Sequence, residues 1–148
     1  MQVRAIREED YREVISVIDE WWGGRQMAAM LPKLFFIHFQ DTSFVVEDEG
    51  KIVAFLVGLV SQTAPDEAYI HFVGVDPNYR KQQLGNRLYQ LFFERAVEKG
   101  CRKVRCITSP VNEGSISFHK RMGFAVERVA EDYDGQGQSR VLFIKQIG

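Results

Sequence analysis

The stretch from Ala68 to Thr108 limits the fold more than any other part of the 148-residue chain. Ala68 to Val75 is rich in Val, Ile and aromatic residues and reads as a strand. Gln83 to Lys99 sets Leu84, Leu88, Leu91 and Phe92 on one stripe, which predicts an amphipathic helix, and Gly100 ends it. Arg102 to Thr108 alternates apolar and polar side chains, as a half-buried strand does. Strand, helix and strand in succession make a β–α–β unit, whose crossover commits the chain to a sheet with helical cover.

The remaining elements extend that sheet. Val3 to Arg7 reads as a strand, and Glu8-Glu9-Asp10 places acid where a helix begins. Tyr11, Val14, Ile15 and Ile18 follow at helical spacing until Trp21-Trp22-Gly23-Gly24 stops the helix. Met27 to Phe39 predicts a second helix, with Pro32 moving its start toward residue 31. Ser43 to Glu47 and Lys51 to Ser61 form a β-hairpin around Asp48-Glu49-Gly50. Asn112 to Met122 is a helix closed by Gly123, Phe124 to Arg128 and Arg140 to Ile147 are strands, and 131–139 is a polar loop. Antiparallel pairs precede a β–α–β–α–β run, so the expected fold is an α/β, mixed-sheet single domain over 1–148 with helices on both faces.

Composition excludes several function classes. Nineteen Lys and Arg against 20 Asp and Glu do not supply the charge excess of a nucleic-acid binder. The longest apolar run, Ile52 to Val60, is strand length, so no membrane association is expected. The polar first ten residues lack a signal-peptide core, which points to the cytoplasm. Cys101 and Cys106 lack the clustering of a metal site and are expected as free thiols on opposite faces of one strand.

Chemistry concentrates at residues 71–89, HFVGVDPNYRKQQLGNRLY. A strand ends at Val75, Asp76-Pro77 turns the chain, and a basic loop leads into the helix near Leu84. Unbonded N–H groups at a helix start, aligned with the helix dipole, form an anion site. Arg80 and Lys81 lie just before it and Arg87 one turn inside, a pattern suited to a pyrophosphate. The same residues also suit a solvated, charged turn before an ordinary helix.

Here the chain resembles the GNAT acetyltransferase superfamily. Val73-Gly74-Val75-Asp76-Pro77 followed by Arg80-Lys81-Gln82-Gln83-Leu84-Gly85 is similar to its acetyl-CoA signature, except that Gln83 stands where the family has its first glycine. If that position needs a left-handed backbone, glutamine costs about 1 kcal/mol or more. Asn112-Glu113-Gly114-Ser115-Ile116-Ser117-Phe118-His119, leading to Gly123-Phe124, resembles the family's second motif, with His119 at a position often held by tyrosine. The resemblance implies a mostly antiparallel central sheet, acetyl-CoA as acyl donor, and a primary amine of a small molecule, peptide or protein as acceptor. It implies cofactor contacts from Phe72, Val73 and Val75, from the turn Arg80, Lys81, Gln82, Gln83, Leu84, Gly85 and Asn86, and from Asn112, Ser115, Phe118 and His119. Dimers are common in the superfamily, which makes a homodimer an expectation by analogy.

Amine acetylation needs a base to free the amine, a donor for the developing oxyanion and an acid for the thiolate. His71 is the first candidate base, its ordinary pKa of about 6.5 suiting proton uptake, with Tyr69 on the same side of a regular strand. A strand histidine bonded to a carbonyl is the competing reading. A backbone N–H at Val73 or Val75 would serve the oxyanion, and His119 is the candidate acid. Glu67 and Asp66 rank second as bases, and His38 reads as surface or packing. The resemblance puts the acceptor near Trp21, Trp22 and Arg25, with Phe35 and Phe36 beyond; the tryptophans look like an aromatic wall on a mobile loop, with core packing the favoured reading for one of the two. A non-catalytic acyl-CoA sensor or partner-binding module on the same fold, and a different nucleotide-binding α/β protein, are the rival functions; the absence of Gly-x-Gly-x-x-Gly and of a phosphate-binding Walker loop from this sequence counts against the latter.

Overall fold

A computed structural model describes residues 1–148. Seven strands form one sheet in the order β1-β2-β3-β4-β5-β7-β6: β1 Gln2–Ala5, β2 Phe44–Asp48, β3 Lys51–Val60, β4 Glu67–Val75, β5 Lys103–Thr108, β6 Ala125–Ala130 and β7 Arg140–Gln146. Four helices accompany them: α1 Asp10–Trp21, α2 Leu34–His38, α3 Leu84–Glu98 and α4 Glu113–Arg121. The sheet is mostly antiparallel, and β4 pairs in parallel with β5 over Glu67, Ala68 and Tyr69. The chain divides into two compact units, residues 1–59 with 71–95, and residues 60–70 with 96–148.

In the first unit, Val14, Ile18 and Trp21 recur along α1 at helical spacing and are buried with Ile6, Leu31, Phe36, Phe55 and Phe72. Each such side chain stabilises by about 1.5–3 kcal/mol when taken fully from water. Of the three acids at the start of α1, Asp10 alone turns inward. Its carboxylate accepts two 2.8 Å bonds from the Arg4 guanidinium and one from Arg7 N–H, which together hold it ionised against the effect of burial. The helix ends in a Schellman motif: Gly23 N–H donates to the Glu20 carbonyl at 3.0 Å and Gly24 N–H to the Asp19 carbonyl at 2.8 Å. That motif places Gly23 at φ +68°, a conformation a side chain would oppose.

The second helix departs from its sequence expectation. Residues 27–39 do not form one continuous helix; they break into a short 3-10 turn at Ala28–Met30 and the single-turn α2, Leu34–His38. Pro32 lies in the break, where it removes a backbone donor and disfavours helical geometry at Leu31. The Trp22–Gly24 segment is also not the loose loop expected. Asp19 Oδ1 accepts from Met27 N–H at 2.7 Å and Ala28 N–H at 3.0 Å, tying the following residues back to α1.

In the second unit, Val104 and Cys106 of β5, Val141 and Phe143 of β7, and Met122 and Phe124 form the buried face. Cys106 is on the strand, whereas Cys101 precedes it and is buried near the Pro65 carbonyl; both are free thiols. Burial raises both thiol pKa values, so neither is a reactive thiolate.

Candidate active site

Burial alternates strictly along β4: Ala68, Ile70, Phe72 and Gly74 are buried, and Tyr69, His71, Val73 and Val75 are half-buried. Gly74 has no side chain because there is no room for one. A Cβ there would lie 2.7 Å from the Trp22 ring and 2.8 Å from Phe55. Trp22 therefore rests against the end of β4, with its ring 4.9 Å from that of Phe72. Trp21 is buried and stacks on Phe55 at 5.9 Å, and Phe36 packs edge-on against Tyr11 in the core. Of the aromatic residues expected near an acceptor, Trp21 and Phe36 are thus core, and Trp22 is half-buried.

The turn after β4 is built from its first residue. Asp76 is buried, its N–H donates to the Val53 carbonyl at 2.8 Å, and its Oδ1 accepts from Asn78 N–H at 2.9 Å. That cap starts a 3-10 helix, Pro77–Gln82, with proline at its first position. Lys51 Nζ lies 3.6 Å from the Asp76 carboxylate, and Tyr79 Oη donates to Asp48 at 2.8 Å. Gln83 then adopts φ 55°, ψ 34°, the left-handed conformation. Its carbonyl accepts the first bond of α3, from Arg87 N–H at 3.1 Å. Leu84, Gly85 and Asn86 consequently supply the first-turn amides, which have no acceptor one turn back. Leu84 is buried, Gly85 half-buried, and Arg80, Lys81, Gln82, Asn86 and Arg87 are exposed. Arg80 also donates to the Trp21 carbonyl at 2.9 Å, joining the turn to the end of α1.

His71 is a half-buried strand histidine bonded to a backbone carbonyl. Its Nε2 lies 2.7 Å from the Met30 carbonyl, so this nitrogen carries the proton and Nδ1 holds the lone pair in the neutral ring. Phe35 stacks on the imidazole at 4.4 Å and 14°. Burial depresses the His71 pKa, only partly offset by the Met30 carbonyl, and the ring is neutral at physiological pH. Sequence gave no sign of the Met30 contact, because the two residues are 41 positions apart. Arg25 and His38 are exposed.

In the second unit, Asn112 caps α4 by accepting the Ser115 N–H at 3.1 Å. His119 is buried, stacks on Phe143 at 4.8 Å, meets the Phe118 and Phe124 rings edge-on and donates from Nδ1 to the Ser115 carbonyl at 2.7 Å. Burial lowers its pKa, so the ring is neutral and lacks the extra proton of an imidazolium acid. Burial, helped by Tyr133, Cys106 and Asp134, raises the Tyr69 pKa, leaving it a phenol that can donate but not act as a base. Glu67 is bound to Arg105 at 3.2 Å, and Asp66 is exposed.

The family model of the acetyltransferase (GNAT) family matches residues 2–124. The chain belongs to this family. Among its relatives, an uncharacterised N-acetyltransferase of Methanocaldococcus jannaschii is 34% identical over 98 residues, covering 64% of this chain and 43% of that protein. An L-2,4-diaminobutyric acid acetyltransferase of Chromohalobacter salexigens is 30% identical over 115 residues, covering 70% of this chain and 60% of that one. The chain thus spans less than two thirds of either relative. The fold matches the crystal structure of Ard1 from Thermoplasma volcanium at TM-score 0.83 and 21% identity, covering 99% of this chain and 97% of that one. It also matches Chaetomium thermophilum Naa20 in complex with a bisubstrate analogue, at TM-score 0.80 and 22% identity over 99% and 87% of the two chains. No helix of this GNAT protein is long and apolar enough to cross a membrane.

Proposed function

We propose that the chain is one acetyltransferase domain that uses acetyl-CoA to acetylate a primary amine of a small molecule, peptide or protein. The observation that carries this reading is the left-handed turn at Gln83, which opens α3 and leaves the amides of Leu84, Gly85 and Asn86 at its first turn. A diphosphate suits that donor set, with Lys81, Arg87 and the exposed part of Arg80 adding positive charge. Acetyl-CoA would supply an acetyl thioester. Phe72, Val73 and Val75 would flank the donor along β4, and a backbone N–H of Val73 or Val75 would donate to the oxygen that gains charge. Asn112, Ser115 and Phe118 on α4 are proposed donor contacts through the second-motif resemblance.

His71 is the proposed base. Its neutral ring, held by Met30 and Phe35, would accept the amine proton at Nδ1. Trp22 and the exposed Arg25 are proposed to contact the acceptor, Trp22 by ring and Arg25 through any carboxylate it carries. Tyr69 would act as a phenol donor, and His119 would contribute through packing of α4. The setting of the domain is proposed to be the cytoplasm.

A second reading, a non-catalytic acyl-CoA sensor, is favoured by one feature. Gln83 holds a conformation that suits glycine. Turnover by the His71→Ala variant separates the two. In an enzyme, loss of the base lowers kcat at least tenfold on an amine panel and leaves acetyl-CoA affinity within twofold. Unchanged turnover would remove His71 from the mechanism, and absence of wild-type turnover with retained acetyl-CoA binding would favour the sensor.

A further inference from the structure

The His71 ring is held by two contacts of different kinds. Phe35 stacks on it and fixes its plane. A stack is indifferent to a half-turn of the imidazole about its bond to Cβ, because that rotation is broad and two-fold. The half-turn would exchange Nδ1 with Cδ2 and Nε2 with Cε1. The Met30 carbonyl, 2.7 Å from Nε2, is the contact that selects one orientation. Where the lone pair of Nδ1 points thus depends on where that carbonyl points.

The carbonyl is aimed by a series of hydrogen bonds that begins at Asp19. This residue lies near the end of α1 and is half-buried. Its backbone carbonyl accepts from Gly24 N–H at 2.8 Å, and its side-chain Oδ1 accepts from Met27 N–H at 2.7 Å and Ala28 N–H at 3.0 Å. One residue therefore closes the helix and fixes the start of the 3-10 turn Ala28–Met30. Within the turn the Ala28 carbonyl accepts from Leu31 N–H at 3.1 Å, and the Leu31 side chain is buried in the core. Leu31 N–H and the Met30 carbonyl belong to one trans peptide unit, so they point in opposite directions. With the N–H turned back to Ala28, the carbonyl is turned away from the turn and meets His71. A single 3-10 turn has little stability of its own, and Pro32 keeps it from lengthening. Its geometry depends on the tether at Asp19 and the anchor at Leu31.

We propose that Asp19 is a positioning residue for acetyl transfer: through the turn at Ala28–Met30 it aims the Met30 carbonyl at His71 and so sets the orientation of the base. This rests on the reading of His71 as the base. Position of the oxygen decides the effect, since both bonds are accepted from backbone N–H groups at Oδ1. Asparagine offers an amide oxygen at the same place and alanine offers none.

The test compares Asp19→Ala with Asp19→Asn in the full chain by two readouts. The first is NMR of the His71 imidazole N–H, which is protected from exchange while it is hydrogen-bonded. The wild type and Asp19→Asn are expected to show a protected Nε2–H, and Asp19→Ala to lose it. The second is acetylation of an amine panel at saturating acetyl-CoA. Asp19→Ala is expected to lower kcat about tenfold, the scale of a displaced catalytic group, and to leave acetyl-CoA affinity within about twofold. Asp19→Asn is expected to keep kcat within about threefold of the wild type. In a His71→Ala background, Asp19→Ala should lower kcat no further, because the two residues act through one contact. If Asp19→Ala does not fold, Asp19→Glu takes its place, as it keeps the charge and moves the oxygen by one methylene. A protected Nε2–H in the folded alanine variant, an equal kcat loss in Asp19→Asn, or additive losses in the double variant would each overturn the proposal. Failure of the underlying reading looks different: turnover would then be unchanged in His71→Ala itself, which removes the base and with it any role for Asp19 in the reaction.

Discussion

Replacing Gln83 by glycine should make the protein more stable. Gln83 sits at φ 55°, ψ 34°, where its Cβ crowds the backbone. A left-handed L-residue loses about 1–2 kcal/mol. Glycine removes that penalty but raises the entropy of the unfolded chain, which returns about 0.5–1 kcal/mol. The difference is a gain of about 0.5–1 kcal/mol, or about 1–4 °C in thermal midpoint for a chain of this size. Urea unfolding should show a higher midpoint with an unchanged m-value, since the exposed surface does not change. Gln83→Ala is the control: it keeps a Cβ, so it keeps the strain and should fall within about 0.5 kcal/mol of the wild type. Equal stabilisation by alanine and glycine would refute the backbone argument. Acetyl-CoA affinity in Gln83→Gly should hold or tighten, and a large loss would mean that the glutamine side chain itself makes a contact.

Three further outcomes follow from the packing and the titrating groups. Gly74→Ala sets a methyl group 2.7 Å from Trp22 and 2.8 Å from Phe55, and should destabilise by about 1–3 kcal/mol with a change in tryptophan fluorescence. Asp76→Ala removes the cap on Asn78 and the partner of Lys51, and should cost about 0.5–2 kcal/mol in urea unfolding. His71 and His119 both have depressed pKa values in the folded chain, so the unfolded chain binds more protons as pH falls. Their stabilisation is complete above about pH 6.5, the unfolded value, and is lost as pH falls through the folded values, at up to about 1.4 kcal/mol per pH unit for each proton. His119→Phe should reduce the drop in unfolding free energy between pH 7.5 and 5.5, and an unchanged drop would exclude His119 as a source.

The fold was legible where local pattern and tertiary burial agree. The stripe of α1, the hairpin around residues 48–50 and the alternation of β4 each state their burial in sequence, and all appear with small changes at their ends. The helix expected over 27–39 failed because Pro32 outweighed the apolar spacing around it. At the candidate site, the turn was legible because it is built from neighbours in sequence, from the Asp76 cap to the Arg87 amide. The contacts of His71 were not, since a carbonyl 41 residues away and the stacked Phe35 leave no periodic trace. His119 was misleading for the opposite reason: its place in the second motif suggests an acid, and only the surrounding Phe124 and Phe143 reveal a packed ring.

Calorimetric titration of the chain with acetyl-CoA bears most directly on the reading of the turn at residues 80–87. A saturable one-to-one isotherm is expected, weakened at high salt and accompanied by about 2.7 kcal/mol of added stability at a hundredfold excess over Kd. No heat and no thermal shift at millimolar acetyl-CoA would contradict a diphosphate site at the amides of Leu84, Gly85 and Asn86.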